Sequence, residues 1–71
     1  MYKNGDEILL EVARITGLPL VWGERRNATI GGVVVWSGRV YVSVFTGKSW
    51  EGYYKNPHYL ANIIAKKARH N

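Results

Sequence analysis

The chain has 71 residues, with ten Lys and Arg against five Asp and Glu, for a net charge of +5. This length allows one small domain, residues 1–71, burying about 60% of its unfolded surface, and the basic excess favours anionic partners, nucleic acid first. With no cysteine there is no disulfide and no thiolate metal site, which suits a reducing, cytoplasmic setting. No apolar run approaches the ~20 residues of a membrane span, and Met1-Tyr2-Lys3-Asn4 opens no secretory signal, so no membrane partner is expected.

Asn4 to Thr16 predicts a first helix. Asn4 can cap it, Glu7 stands where a capping box needs a carboxylate, and Asp6 and Glu7 suit the positive end of the dipole. Ile8, Val12 and Ile15, with Leu9, Ala13 and Thr16 alongside, form an apolar stripe at helical spacing. Gly17 supplies a left-handed stop and Pro19 blocks resumption. Leu18 to Trp22 reads either as an edge strand or as a packed connection, and Gly23 to Ala28 as an exposed loop. In that loop Arg25 and Arg26 form a candidate phosphate clamp.

Ile30 to Tyr54 is rich in Val, Trp, Tyr and Phe and broken at Ser37-Gly38 and Thr46-Gly47, which predicts a three-stranded antiparallel meander. A two-residue turn at Ser37-Gly38 would set Trp36 opposite Arg39, Val35 opposite Val40 and Val34 opposite Tyr41. Alternation then sends Val33, Val35, Val40, Val42 and Val44 to one face, the core. Val34, Trp36, Arg39, Tyr41, Ser43 and Phe45 go to the other. The third strand has two open registers. A two-residue turn at Gly47-Lys48 sends Trp50 outward and Glu51 among the valines. A three-residue loop Phe45-Thr46-Gly47 buries Trp50 and leaves Glu51 in water.

Asn56-Pro57 announces a last helix, with Asn56 as cap and Pro57 at its first position. Leu60, Ala61, Ile63, Ile64, Ala65 and Ala68 mark its buried side. Lys66, Lys67 and Arg69 fall in the last turns, where they either offset the dipole or bind phosphate.

The inventory for chemistry is thin. Asp6, Glu7 and Glu11 are explained by the first helix, His58 and His70 lack partners at ligand spacing, and the serines lack a base. Gly31-Gly32 precedes a strand rather than a helix, so it is no phosphate loop. The chain therefore reads as non-enzymatic, with no cofactor and no metal. The one constellation with a signal is basic plus aromatic. Trp36, Arg39, Tyr41, Phe45, Trp50 and Tyr54 offer stacking surfaces, and Arg25, Arg26, Lys48 and Lys55 offer phosphate contacts.

From Gly31 onward the chain resembles the three-stranded-sheet DNA-binding domains of plant ethylene-response factors and the arm-binding domains of tyrosine integrases. The matching residues are Gly38 with Arg39 after the first strand, and Lys48, Trp50, Gly52 and Tyr54 in the third. A capped helix with small residues follows at Asn56, Ala61, Ala65 and Ala68. The chain differs where that pattern expects arginines, at Val33, Val35 and Phe45, and where it expects a core leucine, at Glu51. The resemblance implies a sheet lying in the DNA major groove, with Lys48 and Trp50 touching DNA. The element order also resembles double-stranded-RNA-binding domains, whose first helix and exit are similar to Ile8–Pro19.

Together these readings predict an α+β domain in the order helix, three-stranded antiparallel meander, helix, with both helices on the valine face. The expected function is a small basic nucleic-acid-binding module, a monomer or weak dimer, with duplex DNA ahead of RNA. The expected binding residues are Arg25, Arg26, Trp36, Arg39, Tyr41, Lys48, Trp50 and Lys55. The alternative is a small protein-binding inhibitor or adaptor, of the kind viruses and mobile elements encode, gripping a protein with the aromatic face.

Overall fold

The computed structural model describes residues 2–69. Helix α1 spans Gly5–Thr16, strands β1 to β5 span Leu20–Trp22, Asn27–Ile30, Val33–Ser37, Val42–Phe45 and Trp50–Tyr54, and helix α2 spans Pro57–Arg69. The strands form one antiparallel sheet in sequence order, β1-β2-β3-β4-β5. The expected helix–sheet–helix order is present, but the sheet has five strands and not the three read from the sequence.

The two extra strands come from two tight turns, one of them disguised by its composition. Gly31 and Gly32 take φ of 58° and 83°, a left-handed pair that joins β2 to β3 as a tight hairpin with Ile30 opposite Val33. The expected loop Gly23–Ala28 contracts to another tight turn, closed by Asn27 N–H donating to the Glu24 carbonyl at 3.0 Å. Its central residues are Arg25 and Arg26, at φ 56° and 65°. Such a turn usually carries Asn-Gly, so two arginines concealed it. Leu20–Trp22 is thereby an edge strand, pairing with β2.

The β3–β4 connection also departs from the expected hairpin. Ser37 is a fully buried strand residue opposite Val42, its hydroxyl donating to Asp6 of α1. The loop is Gly38–Tyr41, closed by Gly38 N–H donating to the Tyr41 carbonyl at 2.8 Å. Trp36 therefore lies opposite Ser43 and Val35 opposite Val44. The slip is even in residues, so the strand valines keep their face. Val40, expected in the core, instead sits exposed in the loop.

A four-residue turn, Thr46 to Ser49, leads into β5. Phe45 pairs with Trp50 and Val44 with Glu51, and the register then shifts so that Val42 meets Tyr54. Gly52, at φ 86°, makes the bulge, and Ser43 Oγ donates to its carbonyl at 2.8 Å. Neither register read from the sequence survives intact. Trp50 faces outward as in the first, while Glu51, on the helix side of an edge strand, stays exposed as in the second.

Both helices cover the same face. Ile8, Leu9 and Val12 of α1 and Leu60, Ala61 and Ile64 of α2 pack on Ala28, Ile30, Val33, Val35, Val42 and Val44. The caps are those the sequence predicts. Asn4 accepts from Glu7 N–H at 3.3 Å, Gly17 closes α1 at φ 72°, and Asn56 accepts from His58 N–H at 2.9 Å. Glu7 reaches back to Lys3 N–H, at 2.9 Å, instead of the cap residue's own. No described helix is long and apolar enough to cross a membrane.

Candidate nucleic-acid interface

No described element covers the sheet's second face. Strand alternation and pairing place Val21, Thr29, Val34, Trp36, Ser43, Phe45 and Trp50 on it. The Gly52 bulge adds Tyr53, because Gly52 and Tyr53 together oppose Ser43. Tyr41 enters from the loop, folding its ring against Trp36 (centroids 5.9 Å) and Tyr53 (4.7 Å, edge-on). Phe45 and Trp50 form a second pair at 5.2 Å. Val21, Trp50 and Tyr53 are 60%, 46% and 74% exposed, values that mark this face as a surface and not a second core.

Between the two ring groups lies an open cup of about 300 Å³ lined by Trp36, Tyr41, Ser43, Trp50 and Tyr53, the size of a small-ligand site. Two of its polar groups are committed within the fold, while the Tyr41 and Tyr53 phenols and the Trp50 indole N–H make no hydrogen bond among the described residues. The Ser43 hydroxyl donates to Gly52, and the Trp36 indole N–H donates to the Arg25 carbonyl at 3.2 Å. What the cup chiefly offers is ring surface.

The meander sorts the cations by end. The β1–β2 turn, the β3–β4 loop and the exit of β5 share one end of the sheet, while the β2–β3 and β4–β5 turns share the other. Arg25, Arg26, Arg39 and Lys55 therefore gather at the first end, with Lys48 alone among the predicted residues at the second. Arg26 is occupied there. Its guanidinium donates to the Ser37 carbonyl at 2.6 Å and the Gly38 carbonyl at 3.0 Å, and lies 3.8 Å from Asp6. It ties the end of β3 to α1. Arg25 and Arg39 are exposed, and neither side chain makes a hydrogen bond or ion pair among the described residues. Lys55 lies with Tyr2, Ile8 and Val40 beside α1 and away from the rings.

Two useful residues escaped the sequence. Tyr53, and not Tyr54, reaches the ring face, since the bulge turns Tyr54 toward the helices, where it meets Tyr59 at 6.0 Å. A glycine inside an aromatic strand was the available signal. Lys67 of α2 joins Val34, Phe45 and Gly47 around an open hollow at the second end, so it adds a cation near Lys48. The carboxylates are segregated. Asp6, Glu7 and Glu11 lie on α1 and Glu51 on the helix side, leaving Glu24, in the Arg25 turn, as the acid nearest the ring face.

Among the described residues no three His, Asp or Glu side chains cluster as a metal site would require; His70 lies outside them. Comparison with protein-family models, curated proteins and solved structures found no match. Both families that the sequence resembles have three strands in the sheet where this chain has five.

Proposed function

We propose that this chain is a small nucleic-acid-binding module that uses the uncovered sheet face. One observation carries the reading: rings with exposed faces lie between cations at both ends of the sheet, Arg25 and Arg39 at one and Lys48 and Lys67 at the other, while the acids sit mostly behind. Aromatic rings stack on any base, and flanking cations hold a backbone of phosphates. An apolar face without the cations would suit a protein partner equally well; the net charge of +5 and its distribution favour the polyanion.

The test is a salt titration of binding to single-stranded and duplex DNA and RNA. Each phosphate neutralised should lower log affinity against log salt by roughly 0.7 on a single strand and 0.9 on a duplex. Absence of binding to every nucleic acid at low salt would overturn the reading in favour of a protein-binding adaptor. That adaptor would show weak salt dependence and anchor its partner through Trp36, Phe45 and Trp50.

A further inference from the structure

We infer, resting on the nucleic-acid reading above, that the ring face takes unpaired single-stranded DNA in preference to a duplex. The strand count argues first. A B-DNA major groove is about 12 Å wide and admits a helix or a narrow β-ribbon. Five strands spaced about 4.8 Å apart make a face about 19 Å across, too broad to enter it. The expectation of duplex binding drew on a three-stranded sheet, and the two added strands weigh against that geometry.

The chemistry of the face argues second. A duplex shows its base edges and hides its base planes, so edge reading needs hydrogen-bonding side chains. Three of those on this face are spent. The Ser43 hydroxyl proton goes to Gly52, the Trp36 N–H to Arg25, and the Asn27 amide donates to the Glu24 carbonyl at 3.0 Å. The larger part of what remains is ring surface, from Trp36, Tyr41, Trp50 and Tyr53 around the cup with Phe45 beside it, edged by the Tyr41 and Tyr53 phenols and the Trp50 N–H. Ring planes need base planes, and only unpaired bases present them.

A path follows from the cation placement. A strand entering past Arg25 and Arg39 crosses the cup along β4 and β5 and leaves past Lys48. A five-residue strand is about 17 Å long, room for two or three stacked bases, as on other single-strand-binding sheets. Deoxyribose suits this path better than ribose. A 2′-hydroxyl set down on the ring faces would give up water and find at most the Tyr41 and Tyr53 phenols and the Trp50 indole N–H in return.

The experiment is fluorescence anisotropy at low salt with three labelled probes: a short oligothymidylate, its duplex with oligoadenylate, and an oligouridylate of equal length. Tryptophan emission is followed in parallel. Oligothymidylate should bind tightest and quench the emission. Trp50→Ala and Tyr53→Ala should each weaken it by about 5- to 150-fold, the range for loss of one stacked base. Trp50→Phe should retain most of the affinity. Both side chains are exposed, so unchanged melting curves separate lost stacking from lost fold.

Duplex bound as tightly as the single strand, or ring removal without effect, would overturn this inference while leaving the nucleic-acid reading standing. Tighter binding of oligouridylate would overturn the assignment to DNA. No binding of any probe would remove both this inference and the reading beneath it.

Discussion

Arg25 sits in a backbone conformation that its own side chain disfavours, so replacing it should strengthen the fold and weaken binding together. At φ 56° its Cβ crowds the following carbonyl, at a cost of roughly 1–2 kcal/mol for an L-residue. Nothing in the described fold repays that through the side chain, which is exposed and unpaired; only its carbonyl is used, by Trp36. Arg25→Gly relieves the strain but adds about 0.4–1 kcal/mol of unfolded-chain entropy, for a net gain of about 0.5–1 kcal/mol. Arg25→Asn tolerates the left-handed region without the full entropy term and should gain a similar amount. At this chain length the melting temperature should rise by about 2–8 °C. Both variants keep the carbonyl that holds Trp36, so the ring face survives. If Arg25 holds a phosphate, each should also lower the salt slope of binding by about one unit, and Arg25→Lys should restore it. The assay pairs thermal unfolding with salt-titrated anisotropy. A variant that melts lower than the parent would show that the Arg25 side chain supports the fold. An unchanged slope would place it off the phosphate path.

Arg26 makes the opposite prediction. Arg26→Ala removes the hydrogen bonds to Ser37 and Gly38 and should cost about 1–3 kcal/mol with the salt slope unchanged; a lowered slope in a stable variant would make it a phosphate ligand after all. Val42→Asp should unfold the domain, since Val42 is fully buried and an unpaired carboxylate there costs several kcal/mol. Val34→Asp on the outer face should melt within a few degrees of the parent, and the reverse order would mean the covered face is misassigned. Gly52→Ala should destabilise by more than 1 kcal/mol, because φ is 86° and a Cβ would strike the Tyr54 ring; a neutral result in chemical denaturation would refute the bulge. Hydrogen-bonded by Arg14, the Glu11 carboxyl titrates below its ordinary value. The pair's small contribution is thus present above the ordinary carboxylate pKa and lost as pH falls through the lowered one. Arg14→Ala should move the Glu11 titration upward by carboxyl NMR, and no movement would refute the pairing.

The helices were legible because their signals are local. Asn4, Gly17, Asn56 and Pro57 act within a turn of themselves, and the stripes at Ile8–Val12 and Leu60–Ile64 need only helical period. The valine face was legible for a related reason. Alternation has period two, so Val33, Val35, Val42 and Val44 stayed inside although the β3–β4 register was misjudged by an even number of residues. Strand count was only half legible: Gly31-Gly32 is an ordinary hairpin signal, but Arg25-Arg26 does the work of an Asn-Gly turn, its second arginine tied to carbonyls eleven and twelve residues onward. No local scan weighs an interaction of that reach.

The strand count bears on function more than on fold. Three strands and five strands bury mostly the same valines, so the core changes little, gaining Ala28 from β2 and losing Val40. The outer face changes more. Adding β1 and β2 widens a ribbon into a platform, and the Gly52 bulge exchanges Tyr54 for Tyr53 on it. Arg26 leaves the set of free cations to hold that platform to α1, while Lys67 arrives from the far end of α2. The added width and the exchange of tyrosines are what the proposed single-strand reading rests on, and Lys67 keeps a cation at the second end. A residue list close to the sequence-derived one thus supports a different proposal, because width and ring orientation, set by two turns and one glycine, decide what the rings can touch.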